Sequence, residues 1–340
     1  MKKTIVALAV AAVAATSANA ATVYNQDGTK VDVNGSVRLI LKKEKNERGD
    51  LVDNGSRVSF KASHDLGEGL SALAYTELRF SKNVTKTKKT RAGKDKNYDV
   101  ERLGNKVHVK RLYAGFAYEG LGTLTFGNQL TIGDNVGVSD YTYFLGGINN
   151  LLSSGEKAIN FKSAEFNGFT FGGAYVFSED ADKQASRNGR GFVVAGLYNR
   201  KMGDVGFALK AGYSQKYVTV AKQDKQEKAF MVGTELSYAG LALGVDYAHT
   251  VTNKEKVEGK KRALEVGLNY DINDKAKVYT DLIWAKESPK TTRDSSILLG
   301  AGYKLHKKVE TFVEGGWSRK KAAGVTTKDN KVGVGLRVHF

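Results

Sequence analysis

Apolar and polar positions alternate through nearly the whole chain in segments of about ten residues, the period of a strand whose two faces meet different surroundings. An early segment sets Val31, Val33, Val37 and Leu39 against Asp32, Asn34, Ser36 and Arg38. The last sets Val332, Val334, Leu336, Val338 and Phe340 against Gly333, Gly335, Arg337 and His339. Between them, Val205, Phe207, Leu209, Ala211 and Tyr213 alternate with Gly206, Ala208, Lys210 and Gly212, while Phe230, Val232, Thr234, Leu236 and Tyr238 oppose Met231, Gly233, Glu235 and Ser237. No helical period competes over a comparable length. The pattern predicts sixteen strands, near 30–41, 55–64, 70–81, 106–118, 121–130, 156–165, 168–178, 190–200, 203–217, 228–238, 241–250, 261–270, 275–286, 295–304, 309–319 and 331–340.

The connections fall into two alternating classes. One is short and rich in the Gly, Asn and Asp that hairpin turns need, as at Glu119-Gly120, Asn167-Gly168, Ala239-Gly240 and Asp271-Ile272-Asn273-Asp274. The other is predicted to be long and charged: Lys82 to Asn105, Ser178 to Gly189 and Lys320 to Asn330. Short turns at one end, long loops at the other and an even strand count imply an all-β, sixteen-stranded antiparallel transmembrane barrel around a water-filled lumen. A soluble β-sandwich is the alternative, but its loops would not sort by length. No linker or shift in composition divides the chain, so one domain is predicted over residues 21–340.

The first twenty residues stand apart. Lys2 and Lys3 precede an apolar stretch from Ile5 to Ala15 and the small-residue site Ala18-Asn19-Ala20, which predicts a cleaved export signal over 1–20. No later window holds eighteen consecutive apolar residues, so membrane crossing by a helix is excluded. Export without a single cysteine means that stability must come from something other than disulfides. The lone proline, Pro289, suits uninterrupted hydrogen-bond ladders, to which proline cannot donate.

Candidate chemistry is thin. The five histidines, His64, His108, His249, His306 and His339, form no cluster with metal-ligand spacing. Ser153 and Ser154 have no histidine and carboxylate set beside them, and the Gly-Gly pair at 172–173 lies within a predicted strand. The reading is a protein that is not an enzyme and needs no cofactor or metal. The chain carries a formal charge of +17, or +15 without the two leader lysines, and residues 82–105 hold eight Lys or Arg against three acids. On an exported barrel such a segment is a solvated outer loop suited to anionic lipopolysaccharide, and nucleic-acid binding is not expected. One connection differs. Thr131 to Ser154 carries Ile132, Val136, Val138, Tyr141, Tyr143, Phe144 and Leu145 around Gly146-Gly147, and would be poorly solvated if it projected into water. Folding inward against the wall would bury it and narrow the channel.

The stretch Ala21-Thr22-Val23-Tyr24-Asn25-Gln26-Asp27-Gly28-Thr29-Lys30-Val31-Asp32 resembles the mature opening of Gram-negative general diffusion porins. Gly146-Gly147 falls where their constriction loop has Phe-Gly-Gly, and Phe340 matches their aromatic ending. Over its length the chain is similar to the major outer-membrane porins of Pasteurella and Haemophilus. That resemblance implies a homotrimer in the outer membrane and passive diffusion of ions and small hydrophilic solutes. It also implies acids on the inserted loop facing a basic ladder on the wall, a transverse field that sorts solutes by charge.

Carried over by position, Asp140 matches a loop acid and Asp134 is a second candidate. On the wall, Arg57 matches a ladder arginine and Arg38 substitutes for a ladder lysine that is Ser36 here. Glu77, with Arg79 on its face, matches a lumen acid. Lys110 and Arg111 straddle another ladder position with their register open, and Lys162 is a further wall candidate. The family's second loop acid is Phe144 here, so the expected selectivity is weak cation preference at most, or anion preference. Two competing functions are a substrate-selective anion or nutrient channel, which a dense row of lumen aromatics and arginines would favour, and a surface adhesin or structural barrel.

Overall fold

The computed structural model describes residues 20–89, 95–177, 186–187, 189–220, 223–254 and 257–340. The export-signal expectation therefore falls outside the described residues, Ala20 excepted. Sixteen strands form the wall: β1 Thr29–Glu44, β2 Arg57–Gly67, β3 Leu70–Lys89, β4 Asp95–Tyr118, β5 Gly122–Leu130, β6 Ser154–Ser163, β7 Phe169–Val176 and β8 Gly191–Met202, followed by β9 Val205–Val220, β10 Gln223–Tyr238, β11 Leu241–Lys254, β12 Val257–Asp271, β13 Ala276–Ser288, β14 Arg293–His306, β15 Val309–Ala322 and β16 Val325–His339. Each pairs antiparallel with the next, and β16 returns to β1 with Lys331–His339 against Ser36–Glu44. The ring is closed. Three short strands lie outside it: Ala21–Gln26 and Asp50–Asp53 pair with β1, and Ser186–Arg187 with β9.

Closure follows from the solvent the strands must cross. A backbone N–H or C=O left unpaired in hydrocarbon costs several kcal/mol, and a ring leaves no edge. The seam is finished by the C-terminal residue: the Gly35 N–H donates to the Phe340 carbonyl at 2.9 Å, and the Phe340 N–H donates to the Gly35 carbonyl at 3.0 Å. A side chain at position 35 would land in the Phe340 ring, so glycine here is a packing requirement.

The alternation read from sequence sorts onto two faces. On β10, Phe230, Leu236 and Tyr238 are exposed, whereas Met231 between them is 1% exposed. β16 likewise turns Val332, Val334, Leu336 and Val338 outward. In water such a surface would be untenable; in a bilayer it is the solvated one. Next to the short turns, exposed Tyr118, Phe169, Tyr238, Tyr270 and Tyr303 form the aromatic girdle expected where lipid meets water. The turns are tight: Asn167-Gly168 and Ala239-Gly240 each place two successive residues at positive φ, the geometry of a two-residue hairpin.

Two of the predicted long loops are extended hairpins instead. β3 runs to Lys89 and β4 begins at Asp95, so most of 82–105 continues the ladder. β15 and β16 run up to a turn at Ala323-Gly324, inside the predicted 320–330 loop. Charged residues lower strand propensity only modestly. Once two chains are paired, extending the ladder into water satisfies each backbone group without demanding an apolar face.

Deleting Phe340 removes both seam hydrogen bonds. The expected outcome is a smaller folded fraction after refolding in detergent, read as loss of the faster-migrating band in unheated gel electrophoresis, with Gly35→Val giving the same defect.

Candidate functional site

Among the described residues, 131–153 form a long connection that lies against buried wall residues rather than extending a hairpin. It opens on a single 3-10 turn, Ile132–Asn135, capped by Thr131, whose Oγ1 accepts from the Gly133 N–H at 3.2 Å. Ile132, Val136 and Leu151 pack on Ala195, Leu197, Ala229, Met231, Ala248 and Ala263, an apolar patch on strands β8 to β12. Farther along, Tyr143 and Phe144 pack on Ile40, Val52 and Phe312. These two clusters account for the apolar composition of the segment.

Buried carboxylates on the wall hold its main chain. Asp246 on β11 accepts from the Val138 N–H at 2.9 Å, the Ser139 N–H at 2.8 Å and the Ser139 hydroxyl at 2.6 Å. Glu265 on β12 accepts from the Ile148 N–H at 2.8 Å. Glu314 on β15 accepts from the N–H groups of Tyr143 and Phe144, and from the Tyr279 hydroxyl at 2.7 Å. Hydrogen bonds to charged acceptors contribute about 1.5–3 kcal/mol each. Glycines clear the path. A Cβ at Gly267 would fall on the Ser139 carbonyl oxygen, and one at Gly244 would sit 2.8 Å from the Ser139 Cα.

Opposite this anchored flank, cations gather. Arg38, Arg57, Arg79, Lys110 and Arg337 line a cavity of about 540 Å³ together with Asp53, Asp140, Tyr143 and Phe144. Glu77, 3% exposed, lies at the centre of the arginines: Arg79 Nε donates to it at 2.7 Å, Arg111 Nη1 donates at 3.4 Å, and Arg57 Nη1 is 3.8 Å away. The register of Lys110 and Arg111 is resolved by a β-bulge. Glu77 pairs with Arg111 while Leu78 pairs with Val109, so Lys110 is the extra residue. Val109 and Leu112 face outward, and the cavity wall and the Glu77 contact place both cations inside.

Of the residues named from sequence, the structure brings Arg38, Arg57, Glu77, Arg79, Lys110, Arg111 and Asp140 to one region. Asp134 lies within electrostatic reach of Arg111. Lys162 does not join them; its charged neighbour is Lys210, on β9. Sequence reasoning passed over Arg337, whose Nη2 donates to the Tyr143 carbonyl at 2.7 Å and whose guanidinium lies 4.5 Å from the Tyr143 ring centre. It also passed over Asp246, Glu265, Asp281 and Glu314. Three of them had one signal, a glycine directly across the ladder: Gly233 beside Asp246, Gly267 beside Asp281, Gly300 beside Glu314; Glu265, which pairs with Asp246 and Ile283, had none.

A closed sixteen-stranded barrel with an apolar outer girdle and a charged interior defines an outer-membrane channel. A family model described as Gram-negative porin matches residues 7–323, and the chain belongs to that family. It is 87% identical over its full length, and over that of the relative, to a major outer membrane protein of Pasteurella multocida, and 79% identical to that of strain Pm70 over the same full extent. Among solved structures, it is similar to the anion-selective porin of Comamonas acidovorans (TM-score 0.73, 17% identity, 92% of this chain and all of the other). The trimer form of OmpT from Vibrio cholerae gives a TM-score of 0.71 at 19% identity, over 92% of this chain and all of that one. At these identities the likeness concerns the fold. The protein is thus a porin that crosses the outer membrane many times.

Asp246→Ala removes the single carboxylate oxygen that accepts three hydrogen bonds from the segment and strands two backbone N–H groups. The expected result is faster proteolysis within residues 131–153 and a larger, noisier single-channel conductance, with the barrel itself still heat-modifiable. Gly267→Val should do the same by displacing the Ser139 carbonyl.

Proposed function

We propose that residues 131–153 form the constriction of a general diffusion pore with a net preference for anions. The observation that carries this reading is the composition of the cavity between segment and wall. Five cations (Arg38, Arg57, Arg79, Lys110 and Arg337) face two carboxylates, Asp53 and Asp140. Asp53 is further occupied by the backbone N–H groups of Gly55 and Ser56, at 2.8 and 3.0 Å. Phe144 adds no charge where a second acid would have balanced the wall. The Debye length is about 8 Å at physiological ionic strength, so fixed charges lining one narrow passage act on an ion together.

Solutes are sorted here by size and charge, with no covalent step. Asp140 on one side and the arginines on the other set up a transverse field that orients dipolar solutes and water. Glu77 acts as a spacer: it draws Arg57, Arg79 and Arg111 onto one carboxylate and keeps them from repelling one another out of the wall. We further propose that the channel assembles as a homotrimer, supported by the trimer form of the Vibrio cholerae relative in fold, and that its basic outer segments meet lipopolysaccharide.

Reversal potentials in a potassium chloride gradient test the charge reading. Wild type should be anion-selective, and Arg38→Gln combined with Arg57→Gln should lower the chloride-to-potassium permeability ratio about two- to five-fold, the equivalent of ~0.5–1 kcal/mol. Strong cation selectivity in the wild type would overturn it, and saturable uptake of one solute would replace general diffusion with a selective channel. Glu77→Gln should push the ratio further toward chloride. It should also cost about 3–5 kcal/mol of stability, because it leaves clustered arginines without their carboxylate; the urea midpoint of the refolded protein measures this.

A further inference from the structure

The constriction segment and the wall share a cluster of acids of which the pore's charge balance uses only Asp140. Asp140 of the segment, Glu265 of β12 and Asp281 of β13 bring one carboxylate oxygen each to within 4.8 Å of one another. Glu265 and Asp281 are fully buried. Neither oxygen of Asp281 nor Oε1 of Glu265 has a hydrogen-bond partner of regular geometry, although the Tyr141 N–H approaches Asp281 and the Ser139 hydroxyl approaches Glu265. Asp140 spends Oδ1 on the Thr142 N–H and hydroxyl, at 2.9 and 2.7 Å. Among the described residues, no ion pair reaches any of the three.

Three converging carboxylates in a buried place repel one another unless a shared proton or a bound cation lies between them. The arginine cluster cannot serve, since it is committed to Glu77 and the cavity. An all-oxygen ligand set selects a hard divalent cation. Calcium–oxygen bonds of about 2.3–2.6 Å let ligands on opposite sides of the ion stand up to about 4.6–5.2 Å apart, which accommodates oxygens within 4.8 Å of one another. Magnesium demands a stricter octahedron and gives up its water reluctantly, which a set of only three carboxylates suits less well.

We propose that Asp140, Glu265 and Asp281 bind a calcium-sized divalent cation that fastens the tip of the constriction segment to the barrel wall. Asp140 is the exposed member, so the ion enters and leaves from the water-filled side, where water completes its coordination. Bound there, it joins two neighbouring strands to the segment at a point between the main-chain anchors Asp246–Ser139 and Glu314–Tyr143. The site rests on the packing of residues 131–153 against the wall and shares only Asp140 with the charge reading.

The test uses full-length protein refolded without lipopolysaccharide, washed with a chelator and titrated with calcium chloride in a calorimeter. One calcium per chain is expected, with a dissociation constant of about 10⁻⁴–10⁻³ M, the range of extracellular oxygen-ligand sites. Magnesium should bind at least tenfold more weakly. Asp281→Asn should abolish binding, and Asp140→Asn, at an exposed position that the fold tolerates, should weaken it at least tenfold. Heat-modifiability confirms that each variant has folded. Saturable binding should also protect residues 131–153 from protease in the wild type and not in Asp140→Asn. No saturable uptake up to about 10 mM, or equal uptake by wild type and both variants, overturns the proposal. Single-channel conductance of the same samples keeps the two readings separate. A chain that conducts anions yet binds no calcium loses the ion site alone, and one that binds calcium but is cation-selective loses the charge reading alone.

Discussion

Everything in this molecule answers to one demand: no backbone hydrogen bond can be left to hydrocarbon. A bilayer offers no water to repair an unpaired N–H, so the strands must close, and the last residue must meet the first strand. The Phe340–Gly35 pair is the visible end of that demand. It also explains the near absence of proline and the ease with which strands run beyond the membrane as bare charged hairpins. With the ladder satisfied, the two faces are free to differ completely.

The same demand returns inside the barrel in another form. A segment of more than twenty residues without a ladder of its own needs partners for its N–H groups, and here buried carboxylates provide several of them. Asp246, Glu265 and Glu314 grip chiefly the main chain of residues 138–148, with the Ser139 hydroxyl as the one side-chain contact among these bonds. Side chains along the segment are therefore free to set the character of the passage while its path stays fixed. Phe144 illustrates the freedom: an aromatic stands where a related channel would carry an acid, yet its N–H is held all the same.

The strand count, the closure of the wall and the outward faces were legible from alternation and turn chemistry alone. So were Arg57 and Glu77, whose period points them inward. The register of Lys110 and Arg111 was not, because a bulge without glycine or proline leaves no mark in the chain. Lys162 is absent from the cavity that Arg38 and Arg57 line, and no single strand encodes where around the ring its side chain falls. The wall acids were hidden for a related reason. Each of Asp246, Glu265, Asp281 and Glu314 looks like any polar-face residue of its own strand, and only the curvature of the ring brings them to one segment.

The bulge at Lys110 carries a consequence for how such channels can diversify. Glu77 pairs with Arg111 and Leu78 with Val109, so loss of the single residue Lys110 would restore unbroken pairing while Arg111 kept its orientation. A one-codon deletion or insertion at this point therefore changes the wall by a full positive charge without shifting any other strand. In most β-proteins a single-residue change in length flips every later side chain to the opposite face. Here the bulge absorbs the change, and the strands that follow keep their faces.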